Sequence, residues 1–323
     1  MGRYLVRRTL FLVFVLFVVS LLTFIIFVKL PAGDPARRAA GKTSTPQQIE
    51  NARKAFGLDK PVWVQYARFA KGLVPWPGWF LTPDVYYSYS NFVPVKEEIA
   101  RRLPVSVALG VGAAVIWLLM GIPIGILSAI RRGAFWSRAS MIFAIIGVSM
   151  PVFWLGQLLL YVFWFRLRIA PASGLSIGAG VWRSILQGKF ILPWITVAMG
   201  YAAFYARMVR GNMLETMGDD YIRTARAKGL SERRVIFKHG LRGALTPVVT
   251  MLGLDLATVI GGLFITETLF GLPGVGQLAV QAIGTNDFPM VMGVTVLGAV
   301  FIAVANLMVD VAYAFLDPRV RYN

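Results

Sequence analysis

The stretch LPVSVALGVGAAVIWLLMGIPIGILSAI, Leu103 to Ile130, runs for 28 residues without an ionisable side chain. A bilayer hydrocarbon core of about 30 Å needs roughly 20 apolar residues of helix, since no water is there to satisfy an open backbone. A run of this length predicts a membrane-spanning helix. Working outward, five further apolar runs of similar length appear: Thr9 to Val28, Ala139 to Phe165, Ile191 to Val209, Leu245 to Thr266 and Met290 to Leu316. The first follows Arg3, Arg7 and Arg8 as the core of a secretory signal would. Its 20 residues exceed the roughly 7–15 of such a core, and no small-residue cleavage site precedes Pro31, so an uncleaved first helix is expected.

Composition agrees. Of 323 residues 57% are apolar and 15% charged, against about 45–50% and about 25% in soluble domains. That apolar fraction excludes intrinsic disorder, and the absence of Cys excludes a disulfide scaffold or a thiolate metal site. A single His, His239, lies beside Lys238 and Arg242 with no nucleophile near in sequence, so it reads as a structural histidine. The net charge is +18.

The basic residues are placed, not scattered. With a cytoplasmic N-terminus, the short inside segments carry 17 Lys and Arg and the short outside segments 4, while 12 lie in the long Lys29–Arg102 connection. Long connections are poor topology reporters. The short ones predict six transmembrane helices with both termini cytoplasmic. The charge is then topological and interfacial, and no nucleic-acid site is needed to explain it. The expected organisation is an N-terminal transmembrane helix over 1–30, an external segment with short helices over 31–102, and a five-helix core over 103–323 with a cytoplasmic loop at 207–246.

Within the external segment, Ser44-Thr45-Pro46 starts a helix reaching Phe56, Gly57 to Pro61 breaks it, and Val62 to Leu73 has a second helical spacing. Pro75 to Asn91 is turn-rich and aromatic. Its aromatics read as interfacial belt residues rather than a docking surface. Ala36 to Thr43 superficially resembles a phosphate loop, but Ala36 stands at its first Gly and no strand precedes it, so no nucleotide site is assigned.

The cytoplasmic connection holds MGDDYIRTARAKGLSERR, Met217 to Arg234. Asp219 or Asp220 suits a helix start, Lys228 its end, and Gly229 the left-handed residue that stops it; Ser231 suits the next start. Two short helices at an angle make a rigid knob.

Asp220-Tyr221-Ile222-Arg223-Thr224-Ala225-Arg226-Ala227-Lys228-Gly229-Leu230, followed by Lys238 to Arg242 and Pro247, resembles the "EAA" loop of ABC importer permeases in its dipeptide and oligopeptide form. Pro31 to Pro35, Gly57 to Pro61 with Gln65-Tyr66, Glu267 to Gly276, and Asn306, Asp310, Tyr313 with Leu316 to Arg319 resemble the B-type subunit of the same family. Arg223 and Thr224 replace the generic Glu and Ala, and Pro83 to Ser88 replaces a glycine-rich stretch usual before the second span.

The resemblance implies an all-α, type I ABC importer permease fold in a bacterial or archaeal cell membrane. It implies a homologous C-type permease partner, two ABC ATPase subunits that bind ATP and Mg, an external substrate-binding protein, and a peptide substrate. No cofactor or metal is implied in this chain, and no catalysis of its own. Residues Asp219 to Leu230 of the knob would then be the ATPase contact.

Inside the apolar runs, an acid near the bilayer centre costs about 2.5–3.5 kcal/mol and must face protein or water. Asp255 has two readings: a pathway residue for a peptide's ammonium, or a packing partner of a neighbouring helix. Glu267 is a second candidate pathway group, whereas Asp310, Pro247 and Gly274 read as structural. Gly271 to Gly276 forms a tight external turn, either a lip for the binding protein or a cap on the fifth helix. Gly121 and Gly125 have the spacing of a close helix contact. An intramembrane enzyme would need paired acids, and no two of Asp255, Glu267 and Asp310 fall at helical spacing. A secondary carrier or channel would need internal repeats, and none is clear.

Overall fold

The computed structural model describes residues 2–29, 34–40, 44–73, 86–130, 135–177 and 180–316. Among them the secondary structure is helical, with one isolated antiparallel bridge between Tyr87 and Pro94 and no strand. In chain order the helices are α1 (Gly2–Phe24), α2 (Pro35–Ala40), α3 (Pro46–Ala55), α4 (Val62–Leu73), α5 (Val95–Ile130), α6 (Phe135–Ser149), α7 (Val152–Leu159) and α8 (Val181–Leu186). They continue as α9 (Ile191–Thr216), α10 (Asp220–Ala227), α11 (Glu232–Arg234), α12 (Leu241–Gly262), α13 (Phe264–Leu269), α14 (Val275–Gly284) and α15 (Phe288–Leu316). Wider π turns extend α1 over Ile25–Lys29, α7 over Leu160–Arg166 and α11 over Val235–Gly240. By length and apolar composition, Val6–Val28, Val95–Ile130 and Phe288–Val309 are each able to cross a membrane.

Three expected runs are corrected. The helix predicted from Leu103 starts at Val95, because Glu97 and Glu98 sit favourably in its first turn. The run Ala139 to Phe165 is two helices that meet at Met150-Pro151. Proline lacks an N–H and biases the preceding residue away from helix, so the chain breaks there. The run Leu245 to Thr266 stops at Gly262, and Leu263 turns the chain into α13. The helices α8 and α14 lie in connections for which no helix was expected. By contrast Pro104, Pro123 and Pro247 lie inside continuous helices.

In the first connection, α3 begins with a full capping box: the Gln48 N–H donates to Thr45 Oγ1 at 3.4 Å and the Thr45 N–H to Gln48 Oε1 at 2.8 Å. Gly57, at φ 65°, ends the helix, and α4 follows as expected. The phosphate-loop look-alike is helical over Pro35–Ala40, whereas a true loop needs a strand there. Its Gly41 to Thr43 lie outside the described residues, as do Pro31 to Gly33, Pro75 to Val85, Arg131-Arg132 and Asp317 to Arg321.

Two cores organise the molecule. The larger joins α5, α9 and α12 around Leu109, Trp117, Tyr205 and Val248. Small residues allow it: a Cβ on Gly125 would lie 2.7 Å from the Ala206 carbonyl oxygen, and one on Gly121 2.9 Å from Tyr205 Cβ. The Gly121/Gly125 pair is therefore a close helix contact, and its partner is α9. The second core gathers Phe24 of α1, Phe69 of α4, Val95 and Ile99 of α5, Leu278 of α14 and Met292 of α15. Tyr66 is fixed there by a 2.8 Å hydroxyl contact with Ser20. The Asp287 carboxylate accepts from the Ser88 hydroxyl, the Tyr89 N–H and the Met290 N–H, tying the end of the first connection to the start of α15.

Candidate functional site

The knob is built as a unit. Helix α10 presents Ile222 and Ala225 inward against Val235, with Met217 and Leu230 around them. It ends in a complete Schellman motif: the Gly229 N–H donates to the Arg226 carbonyl at 2.9 Å, and the Leu230 N–H to the Ala225 carbonyl at 3.4 Å. Gly229 has φ 74°, the conformation its position required. Arg226 Nε donates to Glu232 Oε1 at 2.7 Å, clamping α10 to α11. That hydrogen bond raises the Arg226 pKa still further, so the clamp keeps its charge. Asp219 and Ser231 occupy the cap positions expected of them, but neither side chain accepts a capping bond. Asp220 instead receives Arg223 Nη1 at 3.3 Å, and the Thr224 hydroxyl donates to the Asp220 carbonyl at 2.9 Å. The outer face carries Tyr221, Arg223, Thr224, Ala227 and Lys228, all exposed.

From Glu232 the chain is helical without a break through the π turn to Gly262. Arg234 and Gly240, the residues at each junction, both have helical dihedrals. The knob is thus one end of a continuous rod. Pro247 lies on that rod and interrupts its hydrogen-bond ladder. So does Asp255, about five turns from Glu232 at 3.6 residues per turn.

Asp255 lines a cavity of about 530 Å³ bounded by α6, α9, α12 and the turn at Leu263. Gly147, Gly200, Tyr201, Phe204, Met251 and Thr258 form much of its wall. The acid is half-buried, and Tyr205 donates to its Oδ2 at 2.7 Å. Tyr201 stacks on Trp117 with ring centroids 4.5 Å apart, and Tyr205 lies 6.0 Å from the same indole. The buried Trp117 Nε1 has no hydrogen-bond partner among the described residues. An apolar chamber with one carboxylate is a site for a ligand bearing a positive charge.

The structure places Glu267 elsewhere. It is absent from that cavity wall, has no exposed surface, and accepts from the Ser106 hydroxyl at 2.6 Å and the Gln277 N–H at 2.8 Å. Ser106 Oγ in turn accepts the Val275 N–H at 2.8 Å. Gly274 is needed beside it, because a Cβ there would lie 2.2 Å from the Glu267 carboxyl carbon. Glu267 therefore staples the turn before α14 to α5. Nearby, Glu98 and Arg102 form a buried pair at 2.8 Å, and Arg102 also donates to Gln281. Asp310 falls within α15, and its side chain lies outside those described.

Tyr205, Ser106 and Glu232 escaped prediction. Tyr205 meets an acid 50 positions on and Ser106 one 161 positions on, and no local spacing encodes such pairs. Glu232 was visible in principle, six residues after Arg226 with a glycine turn between them.

Comparison with known proteins was made on this footing. The family model described as binding-protein-dependent transport system inner membrane component matches residues 121–322, and the N-terminal model of the same transport system matches residues 1–110. The chain is 39% identical to the probable peptide ABC transporter permease protein y4tP of Sinorhizobium fredii, over all of both chains. It is 35% identical to the dipeptide transport system permease protein DppB of Alkalihalophilus pseudofirmus, over 99% of each. With the glutathione transport system permease protein GsiC of Escherichia coli K12 it shares 37%, over all of both. Among solved structures, the inward-facing MetNI methionine ABC transporter aligns with TM-score 0.54 at 23% identity, over 69% of this chain and 98% of that one. That likeness concerns the fold.

Proposed function

This chain belongs to the family of binding-protein-dependent transport system inner membrane components, and we propose that it is a permease subunit of an ATP-driven importer of peptides. It spans the membrane six times with both termini in the cytoplasm. It pairs with a homologous C-type permease to enclose the pathway, above two ABC ATPases that hold ATP and Mg and below an external substrate-binding protein. Peptide as substrate follows the printed names of the relatives, which speak of peptide, dipeptide and glutathione.

One observation carries the mechanism: the knob and Asp255 sit on a single helical rod, Glu232 to Gly262. The exposed face of α10, from Asp220 to Leu230, docks in a groove of the ATPase. When ATP closes the ATPase pair, each groove carries its knob inward, and the rod tilts as a lever, bending at Pro247. The cavity wall holding Asp255 then moves with it, and the spans pass from inward-open to outward-open. Peptide released from the binding protein enters, its ammonium drawn to Asp255. Hydrolysis resets the pair. ATP supplies the differential free energy between the two states that such a cycle needs.

The test is Gly229→Pro. Proline cannot adopt a φ of 74°, and it lacks the N–H that closes the Schellman turn. The variant is expected to insert and assemble normally yet lose transport-coupled ATPase stimulation. Full stimulation in that variant overturns the coupling assignment.

A further inference from the structure

A second cavity, of about 360 Å³, opens on the flank of the molecule between α1, α12 and α15. Both α1 and α12 pack on α15, but no packing is seen between the two of them, and the groove is the space left between. Its walls are Phe11 and Val15 of α1, Leu254 of α12 and Leu307 of α15, with Ala303 at its floor. Two polar groups face it from one end. Arg8 lies one turn before Phe11 and Leu12, and Asn306 makes no side-chain hydrogen bond among the described residues. An apolar slot with a guanidinium at its mouth matches a molecule with a long hydrocarbon part and an anionic head.

We propose that this groove binds an anionic phospholipid. Its acyl chain lies along Phe11, Val15, Leu254 and Leu307, its phosphate pairs with Arg8, and the Asn306 amide donates to an ester oxygen. Charge selects the occupant. A neighbouring protein helix would fill the apolar slot equally well but would give Arg8 no partner by virtue of its backbone. The site has a mechanical meaning, because Leu254 precedes Asp255 on the rod. A lipid there props α12 against α1 on the side next to the central cavity.

The inference rests on the chain's being a membrane protein, but not on its transporting peptides. Full-length protein in detergent is mixed with dioleoyl phosphatidylglycerol or dioleoyl phosphatidylcholine, and retained lipid is counted by native mass spectrometry. One phosphatidylglycerol should be held with about a fivefold preference, the factor one arginine contributes near a membrane surface. Arg8→Gln should remove the preference and Arg8→Lys should keep it, while Ala303→Trp, which fills the floor, should lower retention of both lipids. Absence of a preference in the wild type, or equal retention by Arg8→Gln, overturns the proposal. So does efficient cross-linking of Ala303→Cys to another protein in native membranes, which would make the groove a helix interface. Retention in detergent is blind to coupling and to sidedness, so either reading can fail while the other stands.

Discussion

The phenol of Tyr205 on α9 reaches across to α12 and donates a 2.7 Å hydrogen bond to Asp255. This bond sets the carboxylate at the edge of the central cavity, where an acid in apolar surroundings has one protein donor and an open face. It also joins two helices that flank the cavity, so any tilt of α12 must carry or break it.

Asp255→Asn should therefore weaken uptake of peptides with a free amino terminus. A hydrogen bond to a charged group contributes about 1.5–3 kcal/mol, so the loss should be roughly 10- to 100-fold in uptake efficiency. N-acetylated peptides should be transported alike by both proteins. Tyr205→Phe, which only loosens the acid, should show the same selectivity with a smaller loss, about 3- to 10-fold. Uptake into vesicles containing the reconstituted transporter measures both. Equal losses for free and acetylated peptides would show that Asp255 serves packing.

Glu267→Ala should act on stability. It leaves the Ser106 hydroxyl and the Gln277 N–H without the acceptor they now share, at about 1–3 kcal/mol for each buried group left unpaired. Gly276→Ala should cost a similar amount, since its Cβ would lie 2.7 Å from the Phe264 backbone. Thermal unfolding in detergent should fall for both, with peptide selectivity unchanged in the surviving protein.

Arg226→Glu places two acids where α10 meets α11. Transport-coupled ATPase activity should drop while membrane insertion is retained. Adding Glu232→Arg restores the pair with its polarity reversed and should recover most of the activity. Failure of the double variant to recover would mean that Arg226 acts on the ATPase directly and not through the knob's own geometry.

Gly125→Val should disrupt the α5–α9 contact, because the added atoms fall on the Ala206 carbonyl and the Val209 side chain. Overpacking of this kind costs about 1–3 kcal/mol. The expected result is a lower yield of monodisperse protein, whereas Gly284→Ala, with nothing within 4 Å, should behave as wild type.

Much of this was legible in the residues. Apolar length marked the long helices, since a lipid-facing backbone must satisfy itself within one segment. Thr45, Gly57 and Gly229 marked helix ends because capping and positive φ are local properties, decided within four or five residues. The knob's motif was readable for the same reason. Proline was only half legible: Pro151 breaks the third run and Pro123 does not break the second, because tolerance depends on what the neighbouring helices offer the freed carbonyl.

What the sequence by itself determined was therefore everything that depends on short range: an all-helical, apolar chain, the caps, and a two-helix knob in a basic connection. What only the tertiary structure decided was which acid does what. Asp255 and Glu267 are both acids in apolar surroundings, equivalent on any hydropathy scale. One meets a phenol and a cavity, the other a hydroxyl and two turns of backbone. The free energy of a buried charge is set by the donors around it, and those donors come from 50 and 161 residues away.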